Sequence, residues 1–258
     1  MPESGFDPSV AHPARIYDYW LGGKDNYKAD RLAAEQVLRS LPAVAAGARA
    51  NRAFLGRAVR FLADEAGIEQ FLDIGSGLPT AANTHEVAQA ITPRARVAYA
   101  DNDVVVAQHA RALLTRSPGT AFIEADLREP ELIIEQAASL LDLSQPVAVM
   151  LLLILHLIPD SDAPGKLVDR LMSAVAPGSA LVISHPASDI TPEQVTAGRR
   201  DFNRLSSVPM TSRSQSQVAR FFEGMTLVEP GVAQPQRWRP PHDLDAGLPI
   251  PAWCGVAL

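Results

Sequence analysis

The segment Asp73-Ile74-Gly75-Ser76-Gly77 places two glycines directly after a short apolar run. Glycines there let the backbone turn tightly and let a ligand lie against it with no Cβ in the way. Asp101 follows 26 residues after Gly75, at the end of the next apolar run. A carboxylate at that place can accept both hydroxyls of a ribose; its other use is a helix N-cap, for which Asp103 is better placed. Asp126 ends a third run, where a short acid can reach an adenine amino group or cap a turn. His156 ends a fourth run and is the first candidate for a general base or a contact to an acceptor. The plain alternative is a histidine bonded to a neighbouring backbone carbonyl. His185, after a fifth run, is the second candidate.

The type of ligand follows from what is missing as much as from what is present. A dinucleotide fingerprint has a third glycine where this chain has Thr80, preceded by Pro79, and no Gly-Lys-Ser/Thr phosphate loop occurs. A pyrophosphate gains from helix dipoles and nearby cations, whereas this edge offers Asp73, Asp101 and Asp126. Such a site suits a ribose, an adenine and a positive centre, and S-adenosylmethionine, with its sulfonium, answers that description. An NAD-dependent oxidoreductase is the rival reading. Cys254 is the only cysteine and the histidines are scattered, so neither a disulfide nor a metal site is expected.

These residues need a scaffold that gathers them. Short apolar strands alternate with helical stripes from residue 70 onward. The strands are Phe71–Ile74, Val97–Ala100, Ala121–Ile123, Val147–Leu155 and Ala180–Ser184, with helices at His85–Ile91, Val105–Leu114, Leu132–Leu141 and Leu167–Val175. This alternation predicts an α/β fold with a mostly parallel, doubly wound sheet. Its strand C-termini share one edge, where ligands bind. Thr226–Glu229 and Trp253–Leu258 read as an antiparallel hairpin at the sheet edge, and Pro230–Pro251 between them as a surface loop. Upstream, Leu32, Val37, Leu38 and Leu41 form one helical stripe, and Phe54, Leu55, Ala58, Val59 and Leu62 form another. They predict an N-terminal helical cap over residues 1–66, with the ligand-binding domain at 67–258.

The 258 residues are 47% hydrophobic and 20% charged, which excludes wholesale disorder. The net charge of −6 is uneven: residues 1–60 carry a net +3, residues 61–189 a net −10 and residues 190–258 a net +1. The acidic total and the lack of an RNA-binding module disfavour nucleic acid as a partner. Arg199-Arg200-Asp201-Phe202 lies in a long insertion after the fifth strand, a place for substrate contacts, and Arg213 reads as a surface arginine. No apolar run approaches the roughly 20 residues that span a bilayer. With one thiol and no signal peptide at Met1-Pro2-Glu3-Ser4, a cytoplasmic protein is expected.

The chain resembles an actinobacterial family of S-adenosylmethionine-dependent methyltransferases formerly classed as a domain of unknown function. The resemblance runs over nearly the whole sequence. It is carried by Ala14-Arg15-Ile16-Tyr17-Asp18-Tyr19-Trp20-Leu21-Gly22-Gly23-Lys24-Asp25-Asn26-Tyr27, Asn51-Arg52-Ala53-Phe54-Leu55 and Phe71–Thr80. Further matches are His85-Glu86-Val87-Ala88-Gln89, Val97–Asp103, Ala125-Asp126-Leu127-Arg128, Leu155-His156, Ser184-His185 and Trp238-Arg239-Pro240. One departure is Val104, where the family usually has proline after Asp-Asn-Asp.

The resemblance implies a Rossmann-like class I methyltransferase core with a helical cap. It implies that Gly75, Ser76 and Gly77 floor the cofactor, that Asp101 holds the ribose, and that Asn102 lies along the adenine. Asp126 would accept from its amino group, with Leu127 packed nearby. The basic cap would supply a partner for the methionine carboxylate, from Arg15, Lys24, Asn26 and Arg52, with Tyr27 closing over the cofactor. Tyr17, Tyr19 and Trp20 read as core residues before substrate walls. Methyl transfer from a sulfonium is an in-line displacement, for which alignment supplies much of the rate. A base is needed only where the acceptor carries a proton, and His156 is the candidate. The expected acceptor is a small molecule; a non-catalytic S-adenosylmethionine-binding or regulatory protein is the alternative.

Overall fold

The computed structural model describes residues 7–79, 82–114, 117–241 and 249–258, with backbone alone at 113 and 114. Thr80, at the third-glycine position, lies outside the described residues, as does 242–248 of the Pro-rich segment. Six strands, β1 (Gln70–Ile74), β2 (Arg96–Asp101), β3 (Thr120–Glu124), β4 (Ala148–Leu152), β5 (Ala180–Pro186) and β6 (Ala252–Ala257), lie in the order β3-β2-β1-β4-β5-β6. The first five run parallel, and β6 runs antiparallel to β5 with Ser184 opposite Cys254. Thr226–Glu229 borders the sheet without forming a strand of its own. Leu227 makes one antiparallel bridge to Ala257, and the Val228 N–H donates to the Val256 carbonyl at 2.8 Å. The expected hairpin is therefore an antiparallel β5–β6 pair with a bridging segment beside it.

Helices α1 (Pro13–Trp20), α2 (Lys28–Ser40) and α3 (Val44–Arg60) precede the sheet. Helices α4 (Thr84–Ile91), α5 (Val104–Leu114), α6 (Pro130–Ala137) and α7 (Pro164–Ser173) connect its strands, and α8 (Pro192–Leu205) and α9 (Gln215–Ala219) follow β5. The strand order reverses between β1 and β4, which opens a crevice at their C-terminal ends.

Alternating side chains of each strand enter opposite cores. Phe71, Val97, Met150 and Val182 meet α3 through Phe54, Leu55 and Ala58, and Trp238 joins them edge-on to Phe54 at 5.3 Å. Leu72, Val149, Leu151 and Ile183 meet Ile133 of α6 and Leu167 and Leu171 of α7. Phe54 and Phe71 are fully buried, each such side chain contributing roughly 1.5–3 kcal/mol.

The helices of 1–66 thus divide in two. α3 is one wall of the sheet core, while α1 and α2 pack Ile16, Ala33, Ala34 and Val37 against Phe202 of α8. Asp30 joins α1 to α2: it accepts the His12 and Tyr27 backbone N–H groups and the Arg15 guanidinium, at 2.9, 2.8 and 2.9 Å. Among the described residues no helix is long and apolar enough to cross a membrane.

Candidate active site

A cavity of about 430 Å³ lies over the crevice between β1 and β4, under α1, α3 and the segment after α8. Its floor is the turn after β1. Gly75 has φ +73°, and a Cβ there would sit 2.6 Å from Cγ1 of Ile154, which follows β4. The two loops at the switch point touch through this glycine. Gly75→Ala is expected to cost roughly 2–4 kcal/mol, from a left-handed residue plus an overpacked contact. Urea denaturation checks this, and adding Ile154→Ala should recover the contact part; an unchanged midpoint in Gly75→Ala would remove the close approach.

Gly77, at φ +65°, has no atom within 4 Å of its absent Cβ and lines the cavity. Its N–H donates to Oδ2 of Asp101 at 2.9 Å, and the Asp103 N–H donates to Oδ1 at 3.0 Å. Asp101 is buried, and desolvation raises its pKa against these two bonds. Each carboxylate oxygen has a further lone pair for a ligand. Asp103 takes the cap role: its Oδ1 accepts the Val105 and Val106 N–H groups at 2.7 and 2.9 Å. α5 therefore starts at Val104 without a proline, and Asp101 is undisturbed.

Asp73, at the end of β1, is buried beside Thr84, whose hydroxyl donates to it at 2.6 Å. Desolvation pushes its pKa up to about 6, opposed by the Thr84 bond and by Arg52. Asp126 and Asn102 meet each other, the Asn102 amide donating at 2.8 Å. The Arg128 backbone N–H and guanidinium also bind Asp126, at 2.9 and 3.1 Å. Ser76, Asn102, Asp126 and Leu127 all line the cavity.

The cap candidates separate. Arg52 lines the cavity, and its guanidinium reaches the Ala82 carbonyl at 2.9 Å. Asn26 and Tyr27 do not line it. The Asn26 amide is buried against the Asp18 carboxylate at 2.7 Å and the Gly23 carbonyl at 3.0 Å, and so holds the α1–α2 turn. Tyr27 stands exposed at the start of α2, its ring 5.6 Å from the Arg15 guanidinium. Arg15 is bound to Asp30, and Lys24 is exposed away from the cavity. The turn closes on Asp18 and holds Lys24, Asn26 and Tyr27 off the cavity, while Arg15, 3.8 Å from Asp103 Oδ2, lies beside the end of β2 without lining it.

His12 and Asn51 line the cavity with no expected role, and Tyr17 and Trp20, expected as core residues, line it too. His12 Nδ1 lies 2.8 Å from Asp103 Oδ2. Asn51 donates to the Tyr17 hydroxyl at 3.0 Å and accepts from Ser184 Oγ at 2.6 Å, while Tyr17 donates to the Ala48 carbonyl at 3.1 Å. Tyr17 and Trp20 are cavity walls; Tyr19 instead bonds Glu35. Asn51 stands directly before Arg52 on α3, a neighbour relation legible in the sequence; its link to Ser184 depends on the tertiary fold.

His156 lies one turn beyond its expected place. β4 stops at Leu152, Leu153 turns the chain at φ +50°, and His156 falls in the short 3₁₀ helix Leu155–Leu157. That helix is clamped by Arg213, which is buried rather than on the surface. Its guanidinium donates to the Leu155 and Ile158 carbonyls, each at 3.0 Å, to Asp160 at 2.6 Å and to His185 Nε2 at 2.7 Å. The Thr211 N–H donates to the His156 carbonyl at 2.7 Å.

Because guanidinium only donates, His185 accepts at Nε2 and carries its proton on Nδ1, which donates to the Pro186 carbonyl at 2.9 Å. His185 does not line the cavity. His156 does, through the 9% of its surface that is exposed. Its Nδ1 is buried, and neither ring nitrogen bonds a described residue. Burial first, then His185 and Arg213, hold its pKa well below the ordinary histidine value, so the ring is neutral. Among the described residues no group of three or more His, Cys, Asp and Glu is placed to hold a metal.

A family model described as S-adenosyl methyltransferase matches residues 1–258. The crystal structure of a DUF574 family protein from Streptomyces avermitilis is 40% identical to this chain, with a TM-score of 0.93, and the match covers 97% of this chain and 98% of that one. A crystal structure from Thermobifida fusca is also 40% identical, with a TM-score of 0.92 over 100% of this chain and 98% of that one. N-methyltransferase NodS from Bradyrhizobium japonicum, in complex with S-adenosylhomocysteine, shares the fold at 14% identity and a TM-score of 0.53, over 94% and 97% of the two chains. No curated protein matches the chain.

Proposed function

We propose that this chain, which belongs to the S-adenosyl methyltransferase family and is an S-adenosylmethionine-dependent methyltransferase, methylates a small molecule held between His156 and the α1–α8 side of the cavity. The observation that carries this is the meeting of the Gly75–Gly77 turn with Asp101 on one cavity, bonded through the Gly77 N–H at 2.9 Å. Bound there, S-adenosylmethionine supplies a methyl group already activated on a sulfonium. The residues fit it: Gly77 has open space where a Cβ would stand, and Asp101 has lone pairs for two hydroxyls. Asn102, Asp126 and Leu127 line the cavity, and we assign them to the adenine, with Ser76 continuing the floor. Arg52 is the cap residue we assign to the methionine carboxylate, in place of Asn26 and Tyr27. We read α1, α2 and α8 as the lid that excludes water, with α3 belonging to the sheet unit. The single cysteine, Cys254, is a buried free thiol, which suits a reducing cytoplasm.

Asp73 gives this reading a test through pH. Its raised pKa means that its contribution to folding is complete below the ordinary carboxylate range and is lost as pH rises through about 6. The loss amounts to about 3 kcal/mol. Between about pH 4 and pH 7 the apo protein should lose stability, and Asp73→Asn should remove most of that loss. Over the same interval the carboxylate becomes charged and attracts a sulfonium. Affinity for S-adenosylmethionine should therefore rise several-fold relative to S-adenosylhomocysteine, whose sulfur is neutral. Calorimetry of both compounds at the two pH values measures the ratio. A ratio independent of pH in the native protein places the sulfonium out of reach of Asp73. Release of S-adenosylhomocysteine with an acceptor tests turnover, and a melting shift from NAD with none from S-adenosylmethionine would reverse the site reading.

A further inference from the structure

The charged side chains that line the cavity are all gathered at the strand ends. Arg52, tied to Ala82 and attracting Asp73, and Asp101, Asp126 and Arg128 stand around the loops after β1, β2 and β3. The opposite half, under α1 and α8, is walled by Trp20, Val44, Leu157, Phe202, Pro209 and Met210 and, among the described residues, holds no Lys, Arg, Asp or Glu. Its buried polar side chains are already engaged. The Tyr17 hydroxyl donates to Ala48 and accepts from Asn51, Asn51 accepts from Ser184, and the Trp20 ring N–H donates to the Ala34 carbonyl at 3.2 Å. His156 is the exception: it faces this half as a neutral imidazole with no bond to a described residue.

We propose that the acceptor is an uncharged, largely apolar small molecule that presents one O–H or N–H to His156. This rests on the methyltransferase reading of the cavity. A charged acceptor would leave water for a wall with no counter-charge, which is unfavourable, whereas an apolar one gains by burial. One donor on the acceptor satisfies His156, the buried side chain left open; beyond it the exposed Ser207 hydroxyl at the rim can take a second polar group, and further ones would go unpaired.

The test uses the full-length protein saturated with S-adenosylhomocysteine and titrated by calorimetry with 1-naphthol, 1-naphthyl phosphate and 1-naphthoate. Naphthol should bind at least tenfold more tightly than either anion, by the cost of an unpaired buried charge. Met210→Arg, at a half-buried wall position, should reverse that preference, and His156→Leu should weaken naphthol several-fold. An anion that binds the native protein as tightly as naphthol overturns the proposal. So does failure of naphthol to bind, or naphthol binding that neither variant alters. Loss of S-adenosylhomocysteine binding itself would instead overturn the cofactor reading on which the proposal stands.

Discussion

Asp101→Ala is expected to weaken S-adenosylmethionine binding by roughly two to four powers of ten, because two hydrogen bonds to a charged group are lost at about 1.5–3 kcal/mol each. The fold should survive. The carboxylate is buried and its pKa is raised by desolvation, so its removal relieves a buried charge. It also deprives the Gly77 and Asp103 N–H groups of their acceptor. These effects oppose each other, and the urea midpoint should move little compared with the change in affinity. Asp101→Asn separates them further: the amide oxygen can keep one backbone bond, yet the side chain cannot accept from two ribose hydroxyls. Calorimetry with S-adenosylmethionine and S-adenosylhomocysteine should show similar losses, since the ribose is common to both. Native affinity in Asp101→Ala would remove the residue from the site, and with it the meeting of turn and carboxylate that supports the cofactor's placement.

The strand ends were legible because each apolar run stops at a residue the core cannot accept. Asp101 and Asp126 mark such stops, and a parallel sheet brings both of them to one edge. Legibility failed where a polar residue meets partners distant in sequence. Arg213 stands among Pro, Thr and Ser, which reads as an exposed loop. Its burial depends on carbonyls at 155 and 158 and on His185, all supplied by other elements. Asn26 and Tyr27 follow two glycines, and nothing in their spacing says that Asn26 will close on Asp18 and swing the segment outward. α3 shows the same limit in apolar terms. Its stripe announces a buried face without naming the surface it covers, so the sheet core and a separate cap predict one pattern. His156 was displaced by one residue's backbone: Leu153 adopts a left-handed conformation that an apolar run does not signal. That bend carries the histidine off the strand and into the cavity wall.

His156→Ala should lower turnover by roughly a hundredfold or more, the usual scale for a lost proton-transfer partner, while S-adenosylmethionine affinity stays within about threefold of native, since no ribose or adenine contact is assigned to it. The imidazole is neutral because burial, His185 and Arg213 all oppose its charging. It is therefore ready to accept a hydrogen bond from the acceptor and orient it, and it is a weak base once a proton has moved. This separates the pH behaviour from that of an ordinary histidine. At saturating S-adenosylmethionine, turnover should show no histidine inflection near about 6.5; the acid-side fall set by Asp73 near about 6 belongs to cofactor affinity and shows only below saturation. His156→Gln keeps an acceptor atom and should recover part of the rate, which a purely structural histidine would not predict. Arg213→Met should resemble His156→Ala in kcat, because it releases the turn at Leu155 and Ile158 that aims the ring, and it should also lower the melting temperature. Normal turnover in His156→Ala would make the residue structural and return the question of the acceptor's orientation to the Tyr17–Asn51–Ser184 chain.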